Sequence, residues 1–330
     1  MAQLPEMLYF SVRQLEEQLG GKTKHFIRQS ENDFLMKTLS VAEEIAWRPE
    51  VKLVFVSGPT SSGKTTTTAR LSGALGLFGK RAHLLSMDDY YLPVQDSTGR
   101  NGRKDLESLH TLDLPALEDD LKALLDGEEV VLPTFDFQTR SRLHNAAKSL
   151  RLGEDDILLV EGLHGLAEEI CNLIEPSARY GIMLRPWATV VGDGRLLSPR
   201  DIRMLRRCSR DVFHRNTPAL ATVDYWPMLD ETEEQFFPAY LERADIFINT
   251  AVAYEACIIP QIACAALQAD LAKYESGNLP PSPYVLPGYT YADVETAVAE
   301  ARRLLKACSQ LPTMGLEAVP SISILNEFIH

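Results

Sequence analysis

The sequence contains few cysteines, and they form no familiar metal-binding or disulfide pattern. The five cysteines are an odd number and include no C-x-x-C pair, so we expect neither a disulfide framework nor a zinc site. Positive charge is also scarce, since 33 lysines and arginines against 46 acidic residues leave a net charge of −13. Such a chain repels polyanions on average, and we therefore expect no nucleic-acid partner.

Long apolar segments are missing as well. No stretch approaches the ~20 apolar residues that span a bilayer, and the N-terminus does not combine a basic segment, an apolar core and a cleavage site. We therefore expect a cytoplasmic protein with reduced cysteines and no membrane partner. With 45% hydrophobic residues the chain can bury a large core, and a homo-oligomer is compatible with this composition.

The most informative segment is residues 58–65, G-P-T-S-S-G-K-T, which matches the phosphate-binding pattern G-x-x-x-x-G-K-[ST]. The glycines let the backbone point its N–H groups at phosphate oxygens, and a helix predicted over 64–77 adds a positive dipole end. Lys64 is placed to reach the terminal phosphates, and the Thr65 hydroxyl is placed to ligate Mg²⁺. A plain strand-to-helix turn is the alternative, but it would need neither side chain. The predicted phosphate-binding residues are Gly58, Thr60, Ser61, Ser62, Gly63, Lys64, Thr65 and Thr66.

Short apolar runs alternate with helical or loop material along the chain, which predicts an α/β fold. The phosphate-binding pattern after the first of these runs indicates that the fold is of P-loop NTPase type. We expect a parallel sheet with helices on both faces and ligand sites beyond the carboxyl ends of its strands. The predicted strands are 51–56, 82–87, 157–160, 181–184 and 246–248, and helical spacing also marks 11–19 and 31–47.

The sequence predicts three parts. Residues 1–48 form N-terminal helices, and 49–276 form the nucleotide-binding domain. This domain includes an excursion at about 128–152, which is either a hairpin or a strand with an irregular return, and a lid at about 198–217. Residues 277–330 start in a Gly/Pro-rich loop and continue in a helix at about 291–308, as an appendage.

Two carboxylates follow predicted strands and favour phosphoryl transfer. Asp88 lies in S-M-D-D-Y-Y-L-P and could accept a proton from a hydroxyl or help to hold Mg²⁺, although a helix or turn cap is the alternative. Glu161 directly follows the predicted strand in I-L-L-V-E-G, where it would face the phosphate loop as a magnesium-associated acid. No guanine-reading N-K-x-D is present, which argues against a GTPase.

Four arginines at helical spacing of three and four residues can share one helix face: Arg203, Arg206, Arg207 and Arg210. A solvated basic helix would account for this spacing. In so acidic a chain we favour a lid whose guanidinium groups contact the triphosphate and stabilise charge during transfer.

Taken together, these motifs resemble the uridine kinase and phosphoribulokinase family, and most closely its longer bacterial uridine kinase-like members. The resemblance rests on G-P-T-S-S-G-K-T, S-M-D-D-Y-Y-L-P, L-P-T-F-D-F, L-L-V-E-G-L-H-G, R-R-x-x-R-D, A-D-I-F-I-N-T-A and the final S-I-L-N-E-F-I. It implies a P-loop kinase fold, ATP with Mg²⁺ as donor, and a nucleoside or sugar hydroxyl as acceptor.

The resemblance also implies roles for individual residues. Asp88 corresponds to the catalytic base, acting with Lys64, Arg207 and Arg210. The implied magnesium positions are Thr65, Asp88 and Glu161. The implied acceptor-binding residues are Tyr91, Glu107, Phe135, Arg140 and Arg142.

Three segments depart from the family pattern. Arg140 stands where pyrimidine nucleoside kinases commonly carry a base-reading histidine, 215–217 read R-N-T after the lid helix, and 228–234 read M-L-D-E-T-E-E. The leading hypothesis is an ATP-dependent kinase acting on the 5′-hydroxyl of a pyrimidine nucleoside. One alternative is a sugar or sugar-phosphate kinase in which Arg140 and Arg142 clamp an anionic acceptor. Another is a nucleotide-binding regulator without transfer activity.

Overall fold

The computed structural model describes residues 4–93, 99–136 and 141–329, with the backbone alone for 144–148. The strands are β1 Leu8–Ser11, β2 Leu53–Ser57, β3 Ala82–Ser86, β4 Gly99–Arg100, β5 Arg103–Lys104, β6 Val130–Asp136, β7 Ser141–Leu150, β8 Ile157–Gly162, β9 Arg179–Arg185, β10 Ala188–Val191, β11 Arg195–Leu197 and β12 Ile246–Asn249. The helices are α1 Val12–Leu19, α2 Thr23–Ala46, α3 Lys64–Leu77, α4 Leu114–Leu125, α5 Glu168–Cys171, α6 Pro199–His214, α7 Ala219–Arg243, α8 Ile259–Glu275, α9 Val294–Cys308 and α10 Asn326–Ile329.

The central sheet is parallel and has the strand order β12-β9-β2-β8-β3. Strand β2 lies in the middle, where Leu53 pairs with Leu158 of β8 and with Arg179 of β9. The predicted α/β class is confirmed, and each strand of this sheet coincides with a predicted apolar run. Because all the strands point the same way, the carboxyl ends of β2, β8 and β3 meet at one edge.

Both faces of the sheet are buried at the inner strands β2, β8 and β9, which explains why these strands are mainly apolar runs. Successive residues of β2 point to opposite sides: Val54 and Val56 belong to one hydrophobic core, and Leu53 and Phe55 belong to the other. Helices α2, α3, α6 and α8 contribute buried side chains to the first core, and α4 and α5 contribute to the second.

The helix predicted over 64–77 is α3, with the predicted bounds, whereas α2 starts earlier than the predicted residue 31, at Thr23. Capping explains where α6 begins. The Ser198 hydroxyl accepts a hydrogen bond from the Asp201 N–H, and the Asp201 carboxylate accepts one from the Ser198 N–H. This reciprocal pair satisfies donors that the first helical turn leaves without intrahelical partners.

The excursion at 128–152 is a hairpin, because β6 and β7 pair antiparallel. A second sheet was not predicted: β1 pairs in parallel with β10, which pairs in turn with β11. These short strands carry no strong alternation of polar and apolar residues, so their pairing depends on tertiary contacts.

The C-terminal segment packs onto the main body of the protein. Helix α9 contacts α7, and the buried side chains of Ile324, Leu325 and Phe328 join the first core. The division into three parts stays a prediction. Among the described helices, none is both long and apolar enough to cross a lipid bilayer.

Candidate active site

The phosphate loop connects β2 to α3 at the carboxyl edge of the sheet, and its geometry requires glycine at two positions. Gly63 has a φ of +86°, in the left-handed region that side chains disfavour. A Cβ added to Gly58 would lie 2.5 Å from the carbonyl oxygen of Leu184 in β9. The loop backbone therefore approaches its neighbours too closely for any side chain at these points.

Polar groups with few partners line the loop. The Lys64 ammonium donates to the Pro59 carbonyl oxygen at 3.3 Å. The Ser61 and Ser62 hydroxyl groups are buried, and neither has a hydrogen-bond partner among the described residues. Buried polar groups normally have partners, so this arrangement suits an anion that accepts hydrogen bonds from the loop.

A cavity of about 300 Å³ opens in front of the loop and brings together residues from distant parts of the chain. The predicted site residues that line it are Thr60, Ser61, Gly63, Lys64, Thr65, Asp88, Tyr91, Glu107, Phe135, Glu161, Arg207 and Arg210. Other lining residues were not predicted: Leu92, Pro93, Asp105, Leu106, His110, Thr111, Leu163, Arg215, Tyr284 and Glu327.

Two carboxylates face the loop across this cavity. Asp88 lies in the 3₁₀ turn Met87–Tyr90 that follows β3, and Glu161 lies in β8, where its Oε1 accepts a hydrogen bond from Ser86 Oγ at 3.0 Å. Burial and the neighbouring Asp88 charge raise the pKa of Glu161, and the positive charge of Lys64 opposes them. Two acids crowded in this way would be stabilised by a cation between them.

The donor set fits a magnesium ion that is held mainly by phosphates. Within the described part of the chain, no group of three or more His, Cys, Asp or Glu side chains could hold a metal by itself. Mg²⁺ usually binds one or two carboxylates and keeps water and substrate phosphates as its other ligands. The Thr65 hydroxyl with the Asp88 and Glu161 carboxylates is such a set.

Arg203 and Arg206 lie behind the phosphate loop and do not line the cavity. Arg203 donates to the Thr60 carbonyl oxygen at 3.1 Å and forms a bidentate ion pair with Glu233. Arg206 donates to Glu255 at 2.7 Å and to the Ser61 carbonyl oxygen at 3.4 Å. In this structure both side chains hold the loop backbone, and their contact with nucleotide stays a prediction.

Arg207 and Arg210 do line the cavity, and both pair with the buried Asp211. Arg207 Nη1 lies 3.2 Å from Glu107 Oε1, and its Nε lies 3.3 Å from Asp211 Oδ2. Arg210 Nη2 lies 2.9 Å from Asp211 Oδ1. Burial alone would raise the pKa of Asp211, but Arg210, Arg207 and Arg215 outweigh it and hold that pKa well below its usual range. Asp211 thus keeps the arginines in place as a fixed anion.

Aromatic side chains form the far side of the cavity. The Tyr91 and Phe135 rings are 5.7 Å apart between centroids, and the Phe135 N–H donates to Asp89 Oδ1 at 2.9 Å. Arg142 does not line the cavity: its guanidinium donates to Asp113 at 2.9 Å and to the Tyr90 carbonyl oxygen at 3.0 Å. Arg140 lies outside the described residues.

His164 is a supporting residue that sequence reasoning missed, although it lies in the quoted L-L-V-E-G-L-H-G. Its Nε2 is 2.8 Å from the Glu107 carbonyl oxygen and its Nδ1 is 2.8 Å from the Tyr240 hydroxyl. Burial lowers the pKa of His164 to about 4, so the ring is neutral at pH 7. Nε2–H therefore donates to Glu107, and Nδ1 accepts from Tyr240. This pair of bonds fixes the backbone that carries the Glu107 carboxylate.

The C-terminal segment also reaches the site. The Tyr284 hydroxyl donates to Asp211 Oδ2 at 3.1 Å, and the Arg207 guanidinium lies 5.5 Å from the centroid of the Tyr284 ring. Glu327 Oε2 accepts a hydrogen bond from Thr66 Oγ1 at 2.9 Å. The only sequence signal for Glu327 was the S-I-L-N-E-F-I likeness, which gave no indication of a contact with the phosphate loop.

A phosphate loop at the end of a central parallel strand, opposite two carboxylates and beside paired arginines, defines a P-loop kinase. Residues 53–184 match the Phosphoribulokinase / Uridine kinase family. The chain is 28% identical to the uridine kinase of Halobacterium salinarum over 197 residues, covering 58% of this chain and 77% of that protein. It is 26% identical to the uridine kinase of Lactobacillus helveticus, covering 63% and 86% respectively. The match to the solved structure of a D-glycerate 3-kinase from Cryptococcus neoformans covers 89% of this chain and 90% of that protein, at 18% identity and a TM-score of 0.32.

Over residues 53–184 the chain is similar to the phosphoribulokinase and uridine kinase family, which confirms the resemblance that its motifs indicated. It is an ATP-dependent kinase that phosphorylates a hydroxyl group of a small molecule. The prediction of an enzyme of this class is confirmed.

Proposed function

We propose that this kinase transfers the γ-phosphoryl group of ATP, bound with Mg²⁺, to the 5′-hydroxyl of a pyrimidine nucleoside. One observation carries the proposal: the phosphate loop, the Asp88 carboxylate and the Tyr91–Phe135 aromatic pair line a single cavity. Phosphoryl transfer needs little more than such positioning of donor and acceptor together with charge neutralisation.

Each group has a role that its place in the cavity supports. The Asp88 carboxylate accepts the proton of the acceptor hydroxyl as the new O–P bond forms and the bond between the γ-phosphorus and the leaving ADP breaks. Lys64, Arg207 and Arg210 neutralise the charge that develops on the transferred group. Thr65, Asp88 and Glu161 would hold Mg²⁺, which when bound neutralises phosphate charge.

The acceptor side favours a neutral molecule with a flat ring over a phosphorylated sugar. Tyr91 and Phe135 offer ring faces and edges against which a base can pack. Arg142, half of the proposed sugar-phosphate clamp, is already paired with Asp113. The similar proteins of Halobacterium salinarum and Lactobacillus helveticus are named uridine kinases.

A panel of acceptors tests the proposal. We expect ADP release from ATP-Mg²⁺ with uridine or cytidine, and little with ribulose 5-phosphate or simple polyols. Turnover confined to phosphorylated sugars would overturn the nucleoside assignment. Tight ATP binding without turnover on any acceptor would instead identify a nucleotide-binding regulator.

A further inference from the structure

The last residues of the chain are anchored directly against the phosphate loop. Ile324, Leu325 and Phe328 are fully buried. The Ile324 side chain lies so close to the loop that a Cβ on Gly63 would be 2.2 Å from Ile324 Cδ1. The backbone of this segment is therefore packed as part of the core and is not a loosely attached end.

The same segment contacts the arginine helix α6. The Ser209 hydroxyl donates to the Phe328 carbonyl oxygen at 2.6 Å, and the Arg206 guanidinium lies 5.0 Å from the centroid of the Phe328 ring. Since Arg206 also holds the Ser61 carbonyl oxygen, the segment, the helix and the loop form one connected unit.

This anchoring presents one carboxylate to the loop. Glu327 Oε2 accepts hydrogen bonds from Thr66 Oγ1 at 2.9 Å and from the Thr66 N–H at 3.5 Å. Thr66 lies in the first turn of α3, where N–H groups have no intrahelical acceptor and attract anions. Glu327 also lines the cavity that contains Lys64 and Thr65. A carboxylate oxygen thus uses donors that a phosphate oxygen would use at the same helix end.

Glu327 differs from its neighbours in burial. Its side chain is half-buried, whereas Ile324, Leu325 and Phe328 are inaccessible. The carboxylate can therefore rotate away from Thr66 while the backbone of the segment stays in place.

We propose that Glu327 is a resident anion of the phosphate loop: it occupies the Thr66 donors when nucleotide is absent and competes with the triphosphate for them. This inference rests on the proposed function, because it requires the loop to bind a nucleoside triphosphate. Two anions cannot share these donors without repulsion, so binding the triphosphate requires the carboxylate to turn away. The affinity for nucleotide is therefore lower than it would be in a protein without the Glu327 carboxylate.

The test compares Glu327→Gln with Glu317→Gln, a matched control that removes the same charge from an exposed position in the C-terminal segment. Titration calorimetry with ATP-Mg²⁺ should give about tenfold tighter binding for Glu327→Gln, as expected for loss of one charge-assisted competitor. Glu317→Gln should bind as the wild type does. Glu327→Ala should change affinity in the same direction as Glu327→Gln, and adenosine, which has no phosphates, should bind all variants equally.

Thermal stability without nucleotide provides a second readout. The Glu327 carboxylate contacts Thr66 in the protein without nucleotide, and this contact stabilises the fold. Glu327→Gln should therefore lower the melting temperature of the nucleotide-free protein while it raises the affinity for ATP. A purely structural role would lower both. If Glu327→Gln binds ATP with unchanged or lower affinity while the wild-type enzyme turns over its acceptor, this inference is overturned and the proposed function stands. Failure of the wild type to bind ATP-Mg²⁺ would overturn both.

Discussion

Replacing Gly63 with alanine should destabilise the fold, and the structure sets the size of the effect. The residue has a φ of +86°, where a non-glycine residue costs about 1–2 kcal/mol. The added Cβ would also lie 2.2 Å from Ile324 Cδ1 in the core, and overpacking of this kind costs about 1–3 kcal/mol. We expect Gly63→Ala to lower the free energy of unfolding by about 2–5 kcal/mol, measured by urea denaturation.

A matched control lies in the same helix. Gly73 of α3 is exposed, and a Cβ there would meet nothing within 4 Å. Gly73→Ala should therefore stabilise the protein by about 0.5–1 kcal/mol through helix propensity. In the double variant with Ile324→Ala, the cost of Gly63→Ala should shrink, because the methyl group it strikes has gone. If the free energy of unfolding of Gly63→Ala lies within about 0.5 kcal/mol of the wild-type value, a range typical of surface substitutions, the steric reasoning is refuted.

Three further predictions concern catalysis, a buried ion pair and pH. Asp88→Asn should lower kcat by about 10²–10⁴-fold while calorimetry finds ATP binding retained; near-normal turnover would remove Asp88 from the role of base. Glu233→Gln leaves the buried Arg203 without its counter-charge and should lower the free energy of unfolding by about 3–5 kcal/mol. Glu234→Gln, at an exposed position, should change it little, and urea denaturation of both variants measures the difference. Because burial lowers the pKa of His164 to about 4, the unfolded chain binds an extra proton below pH 6.5. The His164 contribution to stability should therefore fall by up to about 3 kcal/mol between pH 6.5 and 4. The raised pKa of Glu161 acts in the opposite direction in both proteins, so the difference between the pH profiles of the wild type and His164→Gln measures the His164 contribution.

The sheet and the phosphate loop were predictable because their signals are local. A strand buried on both faces is a continuous apolar run, as β2 and β8 are, and the order of the loop residues alone specifies their chemistry. The supporting interactions were not predictable in this way. His164 stood inside a quoted motif, yet only the packing of α7 brings Tyr240 to its Nδ1 atom.

The acidic stretch M-L-D-E-T-E-E shows how local sequence can leave the partners of charged residues undefined. In the sequence it was only a departure from the family pattern. In the structure Asp230 pairs with Arg200, Glu231 with Arg100 and Glu233 with Arg203. The departure therefore supplies counter-ions to arginines, and one of these arginines holds the phosphate loop from behind.

The sequence alone determined the class of fold and the bounds of α3, because these depend on neighbours along the chain. Only the tertiary structure decided which arginines face the cavity and that the C-terminal segment reaches the loop. Arg206 meets Glu255 across 49 residues, and Thr66 meets Glu327 across 261. A buried charge must be neutralised, but the sequence does not say by which partner, since packing sets which distant side chains come within hydrogen-bonding distance.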